Sequence, residues 1–285
     1  MKESYRNDVD GDYKKSIKNE NNLSLLFFGI ILITIINIFL TNEYIIYLLI
    51  VLNLIYVAIS LYDDMIVKNS AESERRKTLL AHAFSINITS KKTNGYYNNE
   101  FSPSVKKLGV DSFESTLFTK KNLSVMILSE GIKTFIIFII WIIIITKFKN
   151  DELFYNLTQT FFSVEVLLKF IKIIYYYVNV SKIYDNFYQL FVTRKYNEKK
   201  DQALVLKYVM DYECLKTYCH TLLSSKIFEK INDDVSIEWD NIKKDIKLFT
   251  KRYKINIRTF YKKENYVIII PVNECGQCPQ IVHSR

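Results

Sequence analysis

Two long runs without a charged residue, separated by only three residues, constrain this chain most. Residues 23–40 and 44–61 are each eighteen residues long and contain no Asp, Glu, Lys or Arg. As α-helices they would each be roughly 27 Å long, close to the hydrocarbon thickness of a bilayer. A water-soluble fold would have to bury two helices that are apolar on every face, in a core that the rest of the chain could hardly cover. The sequence therefore predicts an antiparallel hairpin of two membrane-spanning helices.

A second apolar block lies further along the chain. It contains an unbroken apolar run at residues 135–145 and, after a short polar turn, a long helical segment at residues 153–180. That segment differs from the others because it contains charged residues. The overall 49% of hydrophobic residues conceals this segregation. The sequence predicts an all-α polytopic membrane protein with four transmembrane helices in two hairpins and helical cytoplasmic regions.

Lysine and arginine set the predicted orientation. Residues 62–122 carry ten of them, the three-residue reversal at 41–43 carries none, and the second reversal carries only Lys147 and Lys149. Positively charged loops remain on the cytoplasmic side of a membrane. We therefore expect a multi-pass membrane protein with both termini and the central loop in the cytoplasm.

The predicted organisation has six parts. They are a polar N-terminal segment (1–22), the first hairpin (23–61), a central cytoplasmic helix–loop–helix (62–122), the second hairpin (123–180), a cytoplasmic helical region (181–253) and a C-terminal tail (254–285). Within the central region, Ser102-Pro103 predicts a helix break, Gly109 a turn, and Asp111 the N-cap of a new helix, with Glu114 completing the cap. The second span is expected to continue past residue 62 as one long helix.

One face of the predicted fourth span carries polar residues. Placed at 100° intervals, six positions fall within about 80° of one another. They are Thr158, Glu165, Lys169, Lys172, Tyr176 and Asn179. Two interpretations remain open: Glu165 and Lys169 pair within the helix while Lys172 reaches the interface, or the stripe lines a water-filled path in an oligomer. Under the second interpretation Thr158, Glu165, Lys169, Lys172 and Tyr176 line a pore.

The central loop offers a candidate sensor surface of four lysines and two tyrosines: Lys91, Lys92, Tyr96, Tyr97, Lys106 and Lys107. Aromatic rings beside lysines can stack on a base and neutralise phosphates. The alternative is a loop packed by its own tyrosines beneath a lysine-rich surface facing the membrane. His82 is expected to lie on a helix surface.

Catalytic and cofactor signals are weak. The sequence has no phosphate-cradling glycine loop, no nucleophile elbow and no HExxH motif, so we expect no enzymatic activity and no cofactor. Cys275, Cys278 and His283 form a weak candidate metal site, because Cys-X-X-Cys needs a second ligand pair at a suitable spacing. Unpaired thiols are the other interpretation.

The segments ERRKTLLAHAF, GYYNNEFSPS and FESTLFTK lie between the predicted hairpins. With the paired hairpins and the helical tail, they resemble the SMODS-associated four-transmembrane effectors of bacterial antiphage defence, a family regarded as pore-forming. The resemblance implies a homo-oligomer that permeabilises the inner membrane on a cytoplasmic signal. It also implies partners: the lipid bilayer and a cyclic nucleotide or a neighbouring nucleotide synthase, without a nucleic acid polymer. The alternative hypothesis is a membrane-anchored scaffold that binds a partner protein or anionic lipid through its basic cytoplasmic region.

Overall fold

The computed structural model describes residues 6–7, 10–40, 42–91, 93–94, 101–147, 152–194 and 196–260. These residues are almost entirely helical. The exception is a two-residue antiparallel pairing of β1, Arg6–Asn7, with β2, Thr93–Asn94. The prediction of an all-α chain is confirmed at this level.

The first two helices are joined by a tight reversal. Helix α1 spans Asp10–Leu40, so much of the polar N-terminal segment is helical and continuous with the first apolar run. Helix α2 spans Glu43–Tyr62. It begins at Asn42, whose side chain accepts a hydrogen bond from the backbone N–H of Tyr44 at 3.0 Å. This bond satisfies one of the amides that a helix start leaves unpaired.

Helix α2 does not end where its apolar run ends. It passes through a π-helical turn, Asp63–Lys68, into α3, Asn69–Phe84. We call residues 43–84 the rod. The rod ends at Ser85, which adopts the left-handed conformation with φ 53°, a common way for helices to stop. The prediction that the second span extends as one long helix is confirmed.

Helix α4 spans Val105–Lys147 and corrects the predicted start of the third helical segment. The helix begins directly after Ser104, whose Oγ accepts from the backbone N–H of Lys107 at 3.2 Å. Asp111 is therefore not a cap. It is fully buried inside the helix, and its Oδ2 lies 2.8 Å from Nδ1 of His82 on the rod. His82, which the sequence predicts on a helix surface, is only 23% exposed and faces this buried carboxylate.

Gly109 lies within α4 and closes no turn. A Cβ at this position would lie 2.5 Å from Cγ1 of Val205 and 2.8 Å from Cζ of Phe191. The residue therefore allows close packing of the helix against its neighbours rather than a change of chain direction. Sequence reasoning identified an unusual glycine but assigned it the wrong purpose.

Helices α5, α6 and α7 complete the described part of the chain. Helix α5 spans Glu152–Tyr188 and is followed by a π-helical turn, Gln189–Thr193. Helix α6 spans Glu198–Cys219, and α7 spans Ser225–Phe260. Together with α3 and the first half of α4, parts of these helices enclose one hydrophobic cluster. We call it the cytoplasmic core, after the side of the membrane on which the sequence predicts it. Its aromatic centre is Phe113, whose ring lies 5.4 Å from Trp239 and 5.9 Å from Phe187 between centroids.

Outside the cytoplasmic core the helices expose their apolar side chains. Three described helices are long and apolar enough to cross a membrane, namely Gly11–Asn37, Glu43–Phe84 and Val105–Ile140. Only 22%, 6% and 11% of the residues in their apolar windows are buried inside the molecule. Such faces require a lipid environment or further protein. The membrane prediction is thereby supported for three helices.

Candidate functional site

Charged side chains are buried where the rod emerges from its charge-free run. They lie between α1, the rod and α6. We call this group the charged junction; its members are Glu20, Asp63, Lys68, Glu72, Arg75, Glu213 and Lys216. No member's side chain is more than 27% exposed. Buried charges are tolerated only when they are paired and hydrogen-bonded, so the group has to be satisfied internally.

The π-helical turn of the rod is tied to α1. Asp63, only 1% exposed, accepts hydrogen bonds from Oγ of Ser16 at 2.6 Å and Nδ2 of Asn19 at 2.7 Å. Nζ of Lys68 lies 2.9 Å from a carboxylate oxygen of Glu20 and 2.9 Å from one of Asp64. Burial lowers the pKa of Lys68, but the two carboxylates outweigh burial and the pKa is raised overall. Lysine at this position is therefore held in its charged form.

Glu72 connects three helices one turn further along the rod. It accepts a hydrogen bond from the hydroxyl of Tyr13 on α1 at 2.6 Å and from Nε of Arg75 at 2.8 Å. Nζ of Lys216 on α6 lies 3.8 Å from its second oxygen. Burial by itself would raise the pKa of Glu72, but Lys216 and Arg75 outweigh it and lower the pKa to about 2.

The rod is joined to α6 by further polar contacts. Arg75 pairs through Nη2 with Glu213, and Nη1 of Arg76 donates to Oγ1 of Thr217 at 3.0 Å. The pKa of Lys216 is lowered to about 8, because burial and the positive charge of Arg75 outweigh the attraction of Glu72 and Glu213. The arrangement is an ion-pair clasp between α3 and α6.

A small cavity opens beside the charged junction. Its lining comes from four helices and the turn after α6: Tyr13, Lys68, Glu72, Tyr176, Lys216, His220, Thr221 and Leu222. The space open to the centre of a water molecule is about 20 Å³, which accommodates about one water. Burial lowers the pKa of His220, which favours its neutral ring. In this arrangement the cavity is far too small for a nucleotide.

The predicted stripe on α5 is only partly described. Lys169 and Lys172 are exposed, and Nζ of Lys169 lies 3.8 Å from a carboxylate oxygen of Glu20 on α1. Tyr176 lies elsewhere: it is 2% exposed and lines the cavity. The side chains of Thr158 and Glu165 are outside the described part of the chain. The pore-lining role of the stripe stays a prediction, and the structure adds α1 as a neighbour of Lys169.

The candidate sensor residues have separate partners. Lys91 pairs with Asp12 of α1. Nζ of Lys106 lies 4.8 Å from the ring centroid of Phe101 and 5.5 Å from that of Tyr196, and burial lowers its pKa. Lys107 is 8% exposed. Lys92, Tyr96 and Tyr97 lie outside the described residues, as do Cys275, Cys278 and His283. The described lysines therefore contact other parts of the fold rather than converging on one ligand surface.

The sequence analysis did not identify the charged junction, although its members on the rod form a recognisable pattern in the sequence. Lys68, Glu72 and Arg75 follow one another at helical spacing directly after an apolar span, which indicates a charged helix face beside the membrane. The remaining partners come from α1 and from α6, the latter more than a hundred residues away, and only the tertiary fold brings them close.

Comparison of the chain with protein-family models, curated proteins and solved structures gives no match. The function must therefore be inferred from the geometry of the chain itself.

Proposed function

We propose that this protein is a bacterial inner-membrane effector that oligomerises and makes the membrane permeable in response to a cytoplasmic signal. It has four transmembrane helices in two hairpins, with α5 supplying the fourth span and both termini in the cytoplasm. One observation carries the proposal. The rod, α4 and α5 each run from the cytoplasmic core towards the apolar segments without a break in the helix.

Continuous helices couple the two parts of the molecule mechanically. The cytoplasmic core is closely packed, and packed cores shift between discrete arrangements rather than deforming gradually. A shift of α3 therefore displaces the apolar half of the rod, to which α3 belongs. In the same way, a shift of the first half of α4 displaces the apolar half of α4. A protein that only anchors a partner at the membrane does not need this coupling, because one span joined by a flexible linker would suffice.

The charged junction is the control point of the proposed mechanism. It fixes α1, the rod and α6 relative to one another where the apolar segments begin. Removing one member of a buried ion pair leaves its partner charge uncompensated, so the clasp holds or fails as a unit. A ligand or partner that competes for one of its members would release the spans together. A nucleotide second messenger is one such signal, and its phosphates would compete with Glu72 for Arg75 and Lys216.

Ion flux through liposomes containing the purified protein tests the proposal. We expect flux from the full chain when its cytoplasmic signal is added, with cyclic nucleotides as the first probes. We expect Glu165→Leu with Lys169→Leu to insert normally and to conduct at least tenfold less. Lys182→Leu removes an exposed lysine from the same helix outside the stripe, so this control should conduct like the parent.

Two outcomes would contradict the proposal. Equal flux from the double variant and the parent would remove the stripe from the mechanism. Absence of flux from correctly inserted protein under every probe, together with specific capture of anionic lipid or a partner, would replace the pore with the membrane-anchored scaffold.

A further inference from the structure

Lys216 lines the cavity beside the charged junction, and its Nζ makes no hydrogen bond to any of the described residues. Its side chain is 14% exposed, and its ion pair with Glu72, at 3.8 Å, is longer than a hydrogen bond. Lys68 lines the same cavity, yet its Nζ lies 2.9 Å from carboxylate oxygens of both Glu20 and Asp64. The ammonium of Lys68 is therefore held by close anions, whereas the amine of Lys216 borders open space.

The charges that act on Lys216 do not require it to be positive. Burial is the largest cause that lowers its pKa, and the positive charges of Arg75 and Arg76 act in the same direction. Glu72 and Glu213 oppose them, and the pKa falls to about 8. Two positive charges thus stand against two negative ones without Lys216, and about a tenth of its side chains carry a neutral amine at pH 7. A buried, neutral lysine amine is a nucleophile.

The cavity suits a small, uncharged electrophile. Beyond the space for about one water, its empty volume, including the part open to solvent, is about 280 Å³. Nδ1 of His220, another lining residue, is buried and has no hydrogen-bond partner among the described residues. Burial lowers the pKa of His220, so the ring is neutral, and with its proton on Nε2 it accepts a proton at Nδ1. A neutral amine, a proton acceptor and room for three atoms are what carbon dioxide requires.

Arg76 offers a partner for a negative charge at this position. Its side chain is half-buried, and its Nη1 donates to the neutral hydroxyl of Thr217 at 3.0 Å. None of the described carboxylates forms an ion pair with it. A guanidinium binds a carboxylate through two parallel hydrogen bonds. A carboxylate attached to Lys216 would therefore give Arg76 the anion that the described part of the chain does not provide.

We propose that Lys216 is a modification site at which carbon dioxide adds to the amine and forms a carbamate. The amine attacks the carbon of carbon dioxide, a C–N bond forms, and the electron pair of one C=O π bond moves onto oxygen. One proton then leaves Nζ, through Nδ1 of His220 to water, and nothing is oxidised or reduced.

The carbamate reverses the charge at the centre of the ion-pair clasp. A negative group replaces the ammonium of Lys216, so it attracts Arg76 and repels Glu72 and Glu213. The clasp between α3 and α6 is loosened as a result. The modification goes beyond the proposed function, because it stands whether or not the chain conducts ions.

Trapping of the carbamate on the folded full chain tests the site. The detergent-solubilised protein is incubated near neutral pH with isotopically labelled bicarbonate, which supplies carbon dioxide. Triethyloxonium then converts any carbamate into a stable ethyl ester that mass spectrometry locates. We expect the label on Lys216 at least tenfold more often than on Lys68 or Lys207. Lys68 is the control within the cavity, and Lys207 is the control on α6, exposed and 2.6 Å from Asp211.

Variants of Arg76 separate the site from ordinary lysine chemistry. Arg76→Gln removes the guanidinium that pairs with the carbamate and should reduce labelling of Lys216 at least fivefold, whereas Arg76→Lys should retain most of it. At constant pH and ionic strength, carbon dioxide should also accelerate amide hydrogen exchange in the last turns of α6 at least fivefold. Lys216→Arg keeps the positive charge but forms no carbamate, so its exchange should not respond.

Three results would overturn the proposal. They are a folded chain in which Lys216 stays unlabelled, equal labelling of Lys216, Lys68 and Lys207, and labelling that Arg76→Gln leaves unchanged. A labelled chain whose hydrogen exchange ignores carbon dioxide would overturn the loosening of the clasp. Absence of ion flux in liposomes contradicts the proposed function alone, since the labelling is measured on the protein in detergent.

Discussion

The two halves of α4 show how the same kind of residue serves two different solvents. In the first half, Phe113 is fully buried among aromatic rings of α5 and α7. In the second half, Phe135 is 64% exposed. A side chain buried in protein stabilises the fold because it fits closely against its neighbours. An exposed apolar side chain instead needs lipid chains around it, and lipid chains adapt to any side-chain shape. Apolar residues therefore specify the fold in the cytoplasmic core and membrane insertion outside it.

The same substitution in each half of α4 should give the largest difference. Phe113→Ala leaves a cavity in the cytoplasmic core and should lower the free energy of unfolding by about 3–5 kcal/mol. Phe135→Ala should change it by less than about 0.5 kcal/mol in detergent, because micelle chains fill the space. Thermal and denaturant unfolding of the detergent-solubilised protein measures both. Comparable losses would mean that Phe135 packs against protein, and the division of α4 would fail.

The charged junction should behave as part of the cytoplasmic core although it is polar. Glu72→Gln removes the negative charge that faces Lys216 and Arg75, and should cost about 3 kcal/mol. Glu74→Gln is the matched control two positions away. Its carboxylate pairs with Lys77, whose side chain is 47% exposed, and exposed pairs contribute about 0–1 kcal/mol. If both variants lose the same free energy of unfolding, the charged junction is no more stabilising than an exposed surface network.

Acid should weaken the charged junction in a defined window. The pKa of Glu72 is about 2 in the folded chain against an ordinary 4.5, so the unfolded chain binds the proton first as the pH falls. Stability from this group is complete above about pH 5 and is lost towards about pH 2. Unfolding midpoints measured from pH 6 to pH 3 should therefore fall less steeply in Glu72→Gln than in the parent. Parallel curves would contradict the assigned pKa.

One glycine of α1 and one glycine of α4 offer a smaller contrast between the regions. Gly109→Ala introduces a Cβ against Val205 and Phe191, so the overpacking cost of about 1–3 kcal/mol exceeds the gain of about 1 kcal/mol in helix propensity. Gly29→Ala meets none of the described residues within 4 Å and should stabilise α1 by up to about 1 kcal/mol. Opposite signs are expected in the same unfolding assay. Stabilisation by both alanines would show that α4 and α6 are less closely packed than the distances indicate.

The sequence predicted what depends on local pattern and missed what depends on distant contacts. Charge-free runs of eighteen residues identified α1 and α2, and the helical pattern after residue 62 identified the rod. The false cap at Asp111 arose because a buried aspartate inside a helix has the same local signature as an N-cap. Its true partner, His82, lies 29 residues earlier. No local rule connects them.

The candidate site shows the same limit. Helical spacing placed Lys169, Lys172 and Tyr176 on one face of α5, yet Tyr176 is buried beside the charged junction while the lysines are exposed. Helical periodicity shows which residues share a face of a helix, but it does not show what packs against that face. The clasp of Arg75 with Glu213 joins residues 138 positions apart, so its discovery required the fold.

Two helix caps provide the smallest test of whether the cytoplasmic core unfolds separately from the spans. Asn197 caps α6 by accepting from the backbone N–H groups of Lys199 and Lys200, and Asn197→Ala should cost about 1 kcal/mol. Asn42 caps α2 in the same way, but its helix packs outside the core. Asn42→Ala should therefore increase amide hydrogen exchange around the reversal without moving the main unfolding transition, since local opening there does not require the core to unfold.

Because Asn197→Ala acts on a helix that the core contains, it should lower the main transition itself. If both variants lowered the main unfolding transition equally, the core and the spans would unfold as one cooperative unit. The rod, α4 and α5 would then join the two parts rigidly enough that neither opens alone.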